Sequence, residues 1–271
     1  MRISVIGLGK LGAPLAAVLA YKGHEVIGVD VDERPIRLIN EGKAPVYEPG
    51  LEPLIQASRE RLSATGDYDL AVSTTEATFI IVPTPSDENG SFSLRYVLAA
   101  AGNIGRALRH KEGFHLVVLT STVMPGATGG EVLPALEASS GRRCGRDFGL
   151  CYNPEFIALG SVIHDMLNPD FILIGESDPR SGDILSGIYH NLCENAPPIA
   201  RMNFQRGTDQ TGRQYFCDHQ NFLRQHAGRG LRAPAGRRRG RGHIGVGTRQ
   251  PYRPQVSVRR DRVRRPLLPP R

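Results

Sequence analysis

The sequence RISVIGLGKLG at residues 2–12 is the clearest indication of fold in the first part of this 271-residue chain. The apolar run Arg2–Ile6 predicts a buried strand, and it leads directly into three glycines spaced Gly-x-Gly-x-x-Gly. Ala13–Tyr21 is rich in Ala and Leu and predicts a helix. Glu25–Val29 predicts a second buried strand that closes on Asp30, 18 residues after the last glycine. The order of strand, glycine turn, helix, strand and acid predicts one βαβ unit.

This unit is typical of a site for a dinucleotide cofactor. Gly7 permits the tight turn, Gly9 lets the backbone approach a pyrophosphate, and Gly12 lets helix and strand pack closely. The first N–H groups of the helix then face the phosphates. Asp30 can accept hydrogen bonds from ribose hydroxyls and disfavours a 2′-phosphate, so the sequence favours NAD over NADP. The alternative is a glycine turn that only packs a helix on a sheet. The predicted cofactor-binding residues are Gly7, Leu8, Gly9, Lys10, Leu11, Gly12 and Asp30.

Strand and helix patterns continue to alternate along the chain. Further strands are predicted at Ala77–Val82, His115–Leu119, Phe148–Cys151 and Phe171–Ile174, and helices at Ser93–Leu108 and Gly129–Ala138. Alternation of this kind predicts an α/β fold with a doubly wound, Rossmann-type, mostly parallel sheet. Ligands of such sheets bind at the carboxyl ends of the strands. We therefore expect residues 1–204 to form one NAD-binding domain.

Several polar stretches follow these strands, and together they resemble a known family. They are Gly7–Gly12, Gly23-His24-Glu25-Val26, Asn40-Glu41-Gly42, Glu48-Pro49-Gly50-Leu51, Thr84-Pro85, Ser121–Gly126 and Asn153-Pro154-Glu155-Phe156. In this order they resemble the UDP-glucose/GDP-mannose (nucleotide-sugar) dehydrogenases, with the UDP-glucose 6-dehydrogenases most similar. The resemblance covers residues 1 to about 204. A 3-hydroxyacid-type NAD dehydrogenase shares the opening glycine loop and Gly23-His24, but the stretches Glu48-Pro49-Gly50-Leu51 and Asn153-Pro154-Glu155-Phe156 argue against it.

The resemblance implies oxidation of a sugar C6 alcohol to a carboxylate, UDP-glucose to UDP-glucuronate, in two NAD-dependent steps through a cysteine adduct. It implies that Thr84, Pro85, Ser121 and Thr122 contact NAD. It also implies that Thr122 orders a catalytic water, that Glu155 acts on that water, and that Phe156 lines the nucleotide-sugar side. A second acid that the family usually carries four residues after this glutamate is replaced here by Leu159.

Each candidate also has a simpler interpretation. Glu155 could be a loop carboxylate in water, because exposed glutamates are common. Thr122 could cap a helix that begins near Gly126. Glu48 is expected to be an exposed turn acid without a role, and His24 and His164 are expected at the surface.

Residues 205–271 have a different composition. They contain 17 Arg, no Lys and 3 Asp, a net charge of +14, whereas residues 1–204 carry a net charge of −7. Only 11 of these 67 residues are Val, Ile, Leu or Phe, which is fewer than a folded core needs. We expect a disordered basic tail whose removal leaves the folded part intact. The run RRRGRG at residues 237–242 suggests a nucleic-acid-binding segment, but no aromatic residues are interleaved with it, so no specific nucleic acid is expected.

The genetic code offers another explanation for this segment. When codons are read one base later, residues 205–212 can encode Asn-Ala-Glu-Leu-Thr-Lys-Leu, and residues 262–271 can encode Gly-Tyr-Gly-Gly-Pro-Cys-Phe-Pro-Arg. These resemble the start of the family's central helix, with its catalytic lysine, and the family's cysteine motif. We therefore interpret residues 205–271 as a frameshift product. On this hypothesis the chain lacks the catalytic cysteine, the dimerising helix and the sugar-nucleotide domain, and is inactive.

The remaining composition limits other classes of protein. No run of about 18 apolar residues is present, so no membrane partner is expected. The four cysteines are scattered and form no Cys-x-x-Cys pair, which argues against a metal site and favours a reducing, cytoplasmic compartment.

Overall fold

The computed structural model describes residues 1–86, 92–157 and 159–203. The strands found there are β1 (Arg2–Ile6), β2 (Glu25–Val29), β3 (Leu62–Thr65), β4 (Ala77–Ile80), β5 (His115–Leu119), β6 (Phe148–Tyr152), β7 (Ile172–Glu176) and β8 (Ile199–Asn203). The helices are α1 (Gly12–Tyr21), α2 (Glu33–Asn40), α3 (Leu51–Ala57), α4 (Tyr68–Thr74), α5 (Arg95–Leu108), α6 (Leu133–Ser140), α7 (Val162–Leu167) and α8 (Pro179–Leu192), and a π-helical turn (Thr128–Val132) precedes α6.

The strands form one sheet in the order β3-β2-β1-β4-β5-β6-β7-β8. All neighbouring pairs are parallel except β6 and β7, which are antiparallel. The chain builds outward from β1 to β3, then returns to the other side of β1 with β4. This reversal places a crevice at the carboxyl ends of β1 and β4, where doubly wound sheets bind ligands. The predicted doubly wound, mostly parallel sheet is confirmed.

Apolar helix faces cover both sides of the sheet. One core cluster contains the buried side chains of α1, α3, α7 and α8, including Leu15, Ile55 and Leu185. The other contains those of α4, α5 and α6, including Ile104 and Leu136. The central strands β4 and β5 are buried at every position, as expected for strands covered on both faces. Within the described residues, no helix combines the length and the hydropathy needed to cross a bilayer.

Polar side chains close the amino end of the sheet. His115, fully buried at the start of β5, lies 3.1 Å from the Thr75 carbonyl through Nδ1 and 2.8 Å from Thr78 Oγ1 through Nε2. Because a carbonyl only accepts, Nδ1 carries the proton and Nε2 accepts from Thr78, which lies 2.6 Å from Ser4 Oγ. Burial, followed by the nearby Lys111 charge, lowers the pKa of His115 to about 3. The imidazole is therefore neutral at pH 7.

Lys111 completes this end of the sheet. Its ammonium donates to the carbonyls of Val72 at 2.9 Å, Ser73 at 3.0 Å and Thr75 at 2.5 Å, and the residue is 9% exposed. These carbonyls lie at the carboxyl-terminal end of α4, where a cation is favourable.

Several elements differ from their predicted bounds or were not predicted. The predicted helix over Gly129–Ala138 is instead a π-helical turn followed by α6, and the predicted strand over Ala77–Val82 ends at Ile80. No prediction was made for β3, β8, α2, α3, α4, α7 or α8, most of which are short. The predicted disordered tail at 205–271 lies outside the described residues.

Two surface predictions were wrong. His24 is only 7% exposed, and burial lowers its pKa. Glu48 is only 8% exposed, and its Oε1 lies 3.5 Å from the backbone N of Ile163, at the start of α7. Helix α7, which was not predicted, covers the loop that carries Glu48. His164 is exposed, as predicted.

Candidate cofactor and active site

The glycine turn after β1 is fixed by close backbone contacts. Gly7 has φ +96°, and a Cβ placed on it would lie 2.2 Å from the Ile81 carbonyl oxygen. A Cβ on Gly12 would lie 1.7 Å from the Gly7 carbonyl oxygen. Real Cβ atoms do not approach backbone this closely, so both positions require glycine. The first and third glycines thus hold the turn and the start of α1 against β4.

Gly9 differs from both, because a Cβ on it would meet no atom within 4 Å. Gly9 and Lys10 are exposed. Leu11, at the N-cap of α1, makes no side-chain capping hydrogen bond. The second glycine and Lys10, directly before α1, therefore present backbone to open space, which is the arrangement that a pyrophosphate requires.

Asp30 lies at the carboxyl end of β2 and faces the glycine turn. Its Oδ2 accepts from the Leu8 backbone N at 2.7 Å, and its Oδ1 accepts from the Asp32 N at 3.0 Å. The two bonds fix the carboxylate beside a surface cavity. The cavity is lined by Asp30, Val31, Glu33, Ile36, Arg37, Ala64, Thr65 and Gly66. The carboxylate is thus accessible beside this cavity, and its contact to a ribose stays a prediction.

The loops after β4 and β5 are tied together by Ser121. Its hydroxyl accepts from the Val82 N at 2.9 Å and donates to the Val82 O at 2.8 Å, and the residue is 6% exposed. Ser121 thus holds the loop that carries half-buried Thr84 and exposed Pro85. Thr122, the next residue, is exposed and free of a capping role, since the following helical turn has Ala127 at its N-cap.

Glu155 lies in the loop after β6, beside the loop that carries Thr122, since β5 and β6 are neighbours. It is half-buried rather than a carboxylate in open water. Burial raises the pKa of Glu155 to about 7. A carboxyl group with this pKa can both take up and release a proton at neutral pH. Phe156, the next residue, packs against Phe171 with ring centroids 5.0 Å apart.

Two further residues at this site, Tyr189 and Asn153, are not among the predicted site residues. The Tyr189 hydroxyl, on α8, lies 3.2 Å from Glu155 Oε1 and within hydrogen-bond distance of Asn153 Oδ1. Asn153 Nδ2 donates to the Leu173 O at 2.9 Å. Asn153 belongs to a motif that was noticed, but Tyr189 occupies an ordinary core position of an amphipathic helix. No local signal distinguishes such a tyrosine from a packing residue.

None of the three cysteines in the described residues is prepared as a nucleophile. Burial raises the pKa of Cys144, Cys151 and Cys193, and that of Cys193 reaches about 11. Cys151 is fully buried in β6. These thiols are protonated at neutral pH, whereas the reactive form of cysteine is the thiolate.

A model of the UDP-glucose/GDP-mannose dehydrogenase family, NAD binding domain, matches residues 1–193. GDP-mannose 6-dehydrogenase from Pseudomonas aeruginosa is 46% identical over 203 residues, which cover 74% of this chain and 46% of that enzyme. UDP-glucose 6-dehydrogenase AglM from Haloferax volcanii is 40% identical over 204 residues, covering 74% and 47%. The chain thus spans about half the length of these relatives.

Solved structures of dehydrogenases with these names are also similar to this chain. The structure of a ternary complex of GDP-mannose dehydrogenase from Pseudomonas aeruginosa superposes with a TM-score of 0.76 at 42% identity, over 83% of this chain and 50% of that one. A UDP-glucose dehydrogenase from Pyrobaculum islandicum superposes with a TM-score of 0.70 at 39% identity, over 76% and 47%.

Proposed function

The chain belongs to the UDP-glucose/GDP-mannose dehydrogenase family, and from this premise we propose that residues 1–203 are the cofactor half of an enzyme that oxidises the C6 alcohol of a nucleotide sugar. The observation that carries the proposal is the pairing of an open glycine turn with Asp30, within a domain that matches the family's NAD-binding domain. The match also favours this function over a 3-hydroxyacid-type dehydrogenase.

The residues present fit NAD. Gly7 and Gly12 keep the turn tight, and Gly9, Lys10 and Leu11 offer backbone and space to the pyrophosphate. Asp30 is placed to accept hydrogen bonds from the ribose hydroxyls, and Ser121 holds the loop of Thr84 and Pro85 at the crevice. When bound, NAD supplies the acceptor for a hydride.

On the substrate side, we assign Thr122 to orienting a water and Glu155 to transferring its proton. Phe156 adds an apolar wall, and Thr122 and Glu155 lie on adjacent loops. The pKa of Glu155, near 7, suits a group that serves as base in one step and as acid in another. UDP-glucose is the proposed substrate. GDP-mannose is its direct competitor, because relatives bearing either name match the chain at similar identity.

We propose that the 271-residue chain binds NAD but does not oxidise a nucleotide sugar. Formation and hydrolysis of a thioester need a thiolate, and Cys144, Cys151 and Cys193 are held protonated by burial. Read in the alternative frame, residues 205–271 can encode both a lysine and a Gly-Gly-Pro-Cys-Phe-Pro motif. We therefore propose that the family's nucleophile is encoded in that frame.

The test is NADH formation from UDP-glucose and from GDP-mannose, measured for the 271-residue chain and for a chain with the reading frame restored after Phe204. We expect no turnover by the first chain and turnover of one of the two sugars, at about 1 per second or faster, by the second. A restored chain with its Cys codon changed to Ser is the matched control and is expected to be inactive. Turnover by the printed chain would overturn the proposal of its inactivity.

A further inference from the structure

The polar side chains of Asn153, Glu155 and Tyr189 meet at the Glu155 loop. Tyr189 makes two of these contacts but has only one hydroxyl proton to donate. The Tyr189 hydroxyl is within hydrogen-bond distance of two oxygens, Asn153 Oδ1 and Glu155 Oε1. A phenol has one O–H proton and can also accept. It therefore cannot donate fully to both oxygens at once.

The direction of the hydrogen bond between Tyr189 and Asn153 follows from the other contact of the Asn153 amide. Asn153 contacts the Leu173 carbonyl at 2.9 Å, and a carbonyl can only accept, so the Asn153 atom there is the amide nitrogen. The other end of the same amide is then Oδ1, which can only accept. The Tyr189 proton is therefore directed to Asn153.

The direction of the hydrogen bond between Tyr189 and Glu155 follows from that of the bond between Tyr189 and Asn153. With its proton directed to Asn153, the Tyr189 oxygen offers Glu155 an acceptor. An ionised Glu155 would place its carboxylate oxygen 3.2 Å from that acceptor without a proton between them. A protonated Glu155 donates instead and completes a chain from Glu155 through Tyr189 and Asn153 to the Leu173 carbonyl.

The surroundings favour the same state. Asn153 and Tyr189 are 2% and 6% exposed, so water does not compete with the hydrogen bond between them. Burial favours the neutral Glu155 carboxyl, whereas a hydrogen bond donated by Tyr189 would favour the ionised form, and that donor is removed when the Tyr189 proton is directed to Asn153. Glu155 in turn acts on Cys193. Burial raises the pKa of Tyr189 well above its usual value and that of Cys193 to about 11, so both are neutral at pH 7. The Lys22 cation acts on Cys193 and is paired with Glu194 at 2.9 Å.

We propose that Tyr189 is a positioning residue that holds Glu155 in its protonated form, because its hydroxyl oxygen accepts a hydrogen bond from the Glu155 carboxyl group while its own proton is donated to Asn153. This deepens the proposed function and rests on it only for the use made of Glu155. It follows for that function that the Glu155 carboxyl group carries a proton in the resting domain. Glu155 becomes a base only when the contact to Tyr189 is broken or when the pH rises above neutrality.

The test is the titration of Glu155 by NMR in the full chain, labelled with 13C at glutamate carboxyl carbons and assigned with Glu155→Gln. We expect Tyr189→Phe to lower the apparent pKa of Glu155 by about one unit, because the protonated form loses its acceptor. If Tyr189 instead donates to an ionised Glu155, the same substitution removes a donor and the pKa rises. A rise, or no change, would overturn the proposal.

The matched control is Tyr152→Phe. Tyr152 is another tyrosine near this loop, but it packs with the cluster on the opposite face of the sheet from Tyr189. We expect no change in the Glu155 titration in this variant, and a shift equal to that of Tyr189→Phe would overturn the proposal.

A second measurement needs no change at Tyr189. The infrared difference between the unaltered chain and Glu155→Gln at pH 6 should contain the carbonyl stretch of a protonated carboxyl group, and a carboxylate band in its place would overturn the proposal. Neither measurement requires NAD or turnover. A failure of NAD binding would therefore be distinguishable from a failure of this proton arrangement.

Discussion

The polar groups at the amino and carboxyl ends of the mostly parallel sheet differ in how completely they are hydrogen-bonded. At the amino end, His115, Thr78 and Ser4 bond to one another, and Lys111 donates to three carbonyls. At the carboxyl end, Gly9 meets no neighbour, and Thr120 Oγ1 is buried without a hydrogen-bond partner among the described residues. A closed network stabilises the fold, whereas groups left open are available to a ligand. This difference indicates that the carboxyl end, where Gly9 and Thr120 are left open, is where a ligand can bind.

The glycine turn offers the strongest way to test this contrast, because it contains both a closed and an open position. Gly12→Ala places a Cβ 1.7 Å from a backbone oxygen and should lower the free energy of unfolding by about 4 kcal/mol. Gly9→Ala meets no atom within 4 Å and should change it by less than about 0.5 kcal/mol while weakening NAD binding. Urea unfolding measures the first effect. Equal destabilisation by the two substitutions would contradict the contrast.

At the amino end, Lys111→Met should lower the free energy of unfolding by about 3 kcal/mol, because three carbonyls lose their donor. NAD affinity should not change, since the site lies at the other end of the strands. Lys43→Met is the control, because Lys43 forms an exposed pair with Glu41 and should matter by less than about 0.5 kcal/mol. Loss of NAD affinity in folded Lys111→Met protein would show that the two ends are coupled.

The neutral His115 makes stability depend on pH. Its pKa falls from 6.5 to about 3 on folding, so below pH 6.5 the unfolded chain binds a proton that the folded chain does not. Stability should therefore fall as the pH falls, by about 2 kcal/mol between pH 7 and pH 5 from this group. His115→Gln should remove that part of the dependence, as measured by urea unfolding at the two pH values. Identical pH dependence in the variant would refute this assignment.

The same contrast explains which features the sequence could predict. The glycine turn is set by local backbone geometry, so Gly7, Gly12 and Asp30 could be placed from their spacing. The strands β4 and β5 were recognisable because continuous apolar runs are typical of strands buried on both faces. Local signals of this kind do not depend on the rest of the fold.

Contacts between distant parts of the chain were not predictable. Tyr189 meets Glu155 across 34 residues, and Glu48 meets Ile163 across 115, so neither contact leaves a mark in its own neighbourhood. The burial of His24 and Glu48 likewise depends on elements that pack over them. The roles assigned to Thr84, Thr122 and Phe156 stay predictions, since their evidence is the family motif rather than a contact to a ligand.

We infer that the open carboxyl end of the sheet binds NAD through the glycine turn and Asp30. Calorimetric titration of the 271-residue chain with NAD and with NADP tests it most directly. We predict saturable binding of NAD, at least about tenfold tighter than that of NADP, because Asp30 would repel a 2′-phosphate. We also predict that Asp30→Ala abolishes this preference while the fold is retained. Equal affinities for the two cofactors, or an unchanged preference in Asp30→Ala, would contradict the account.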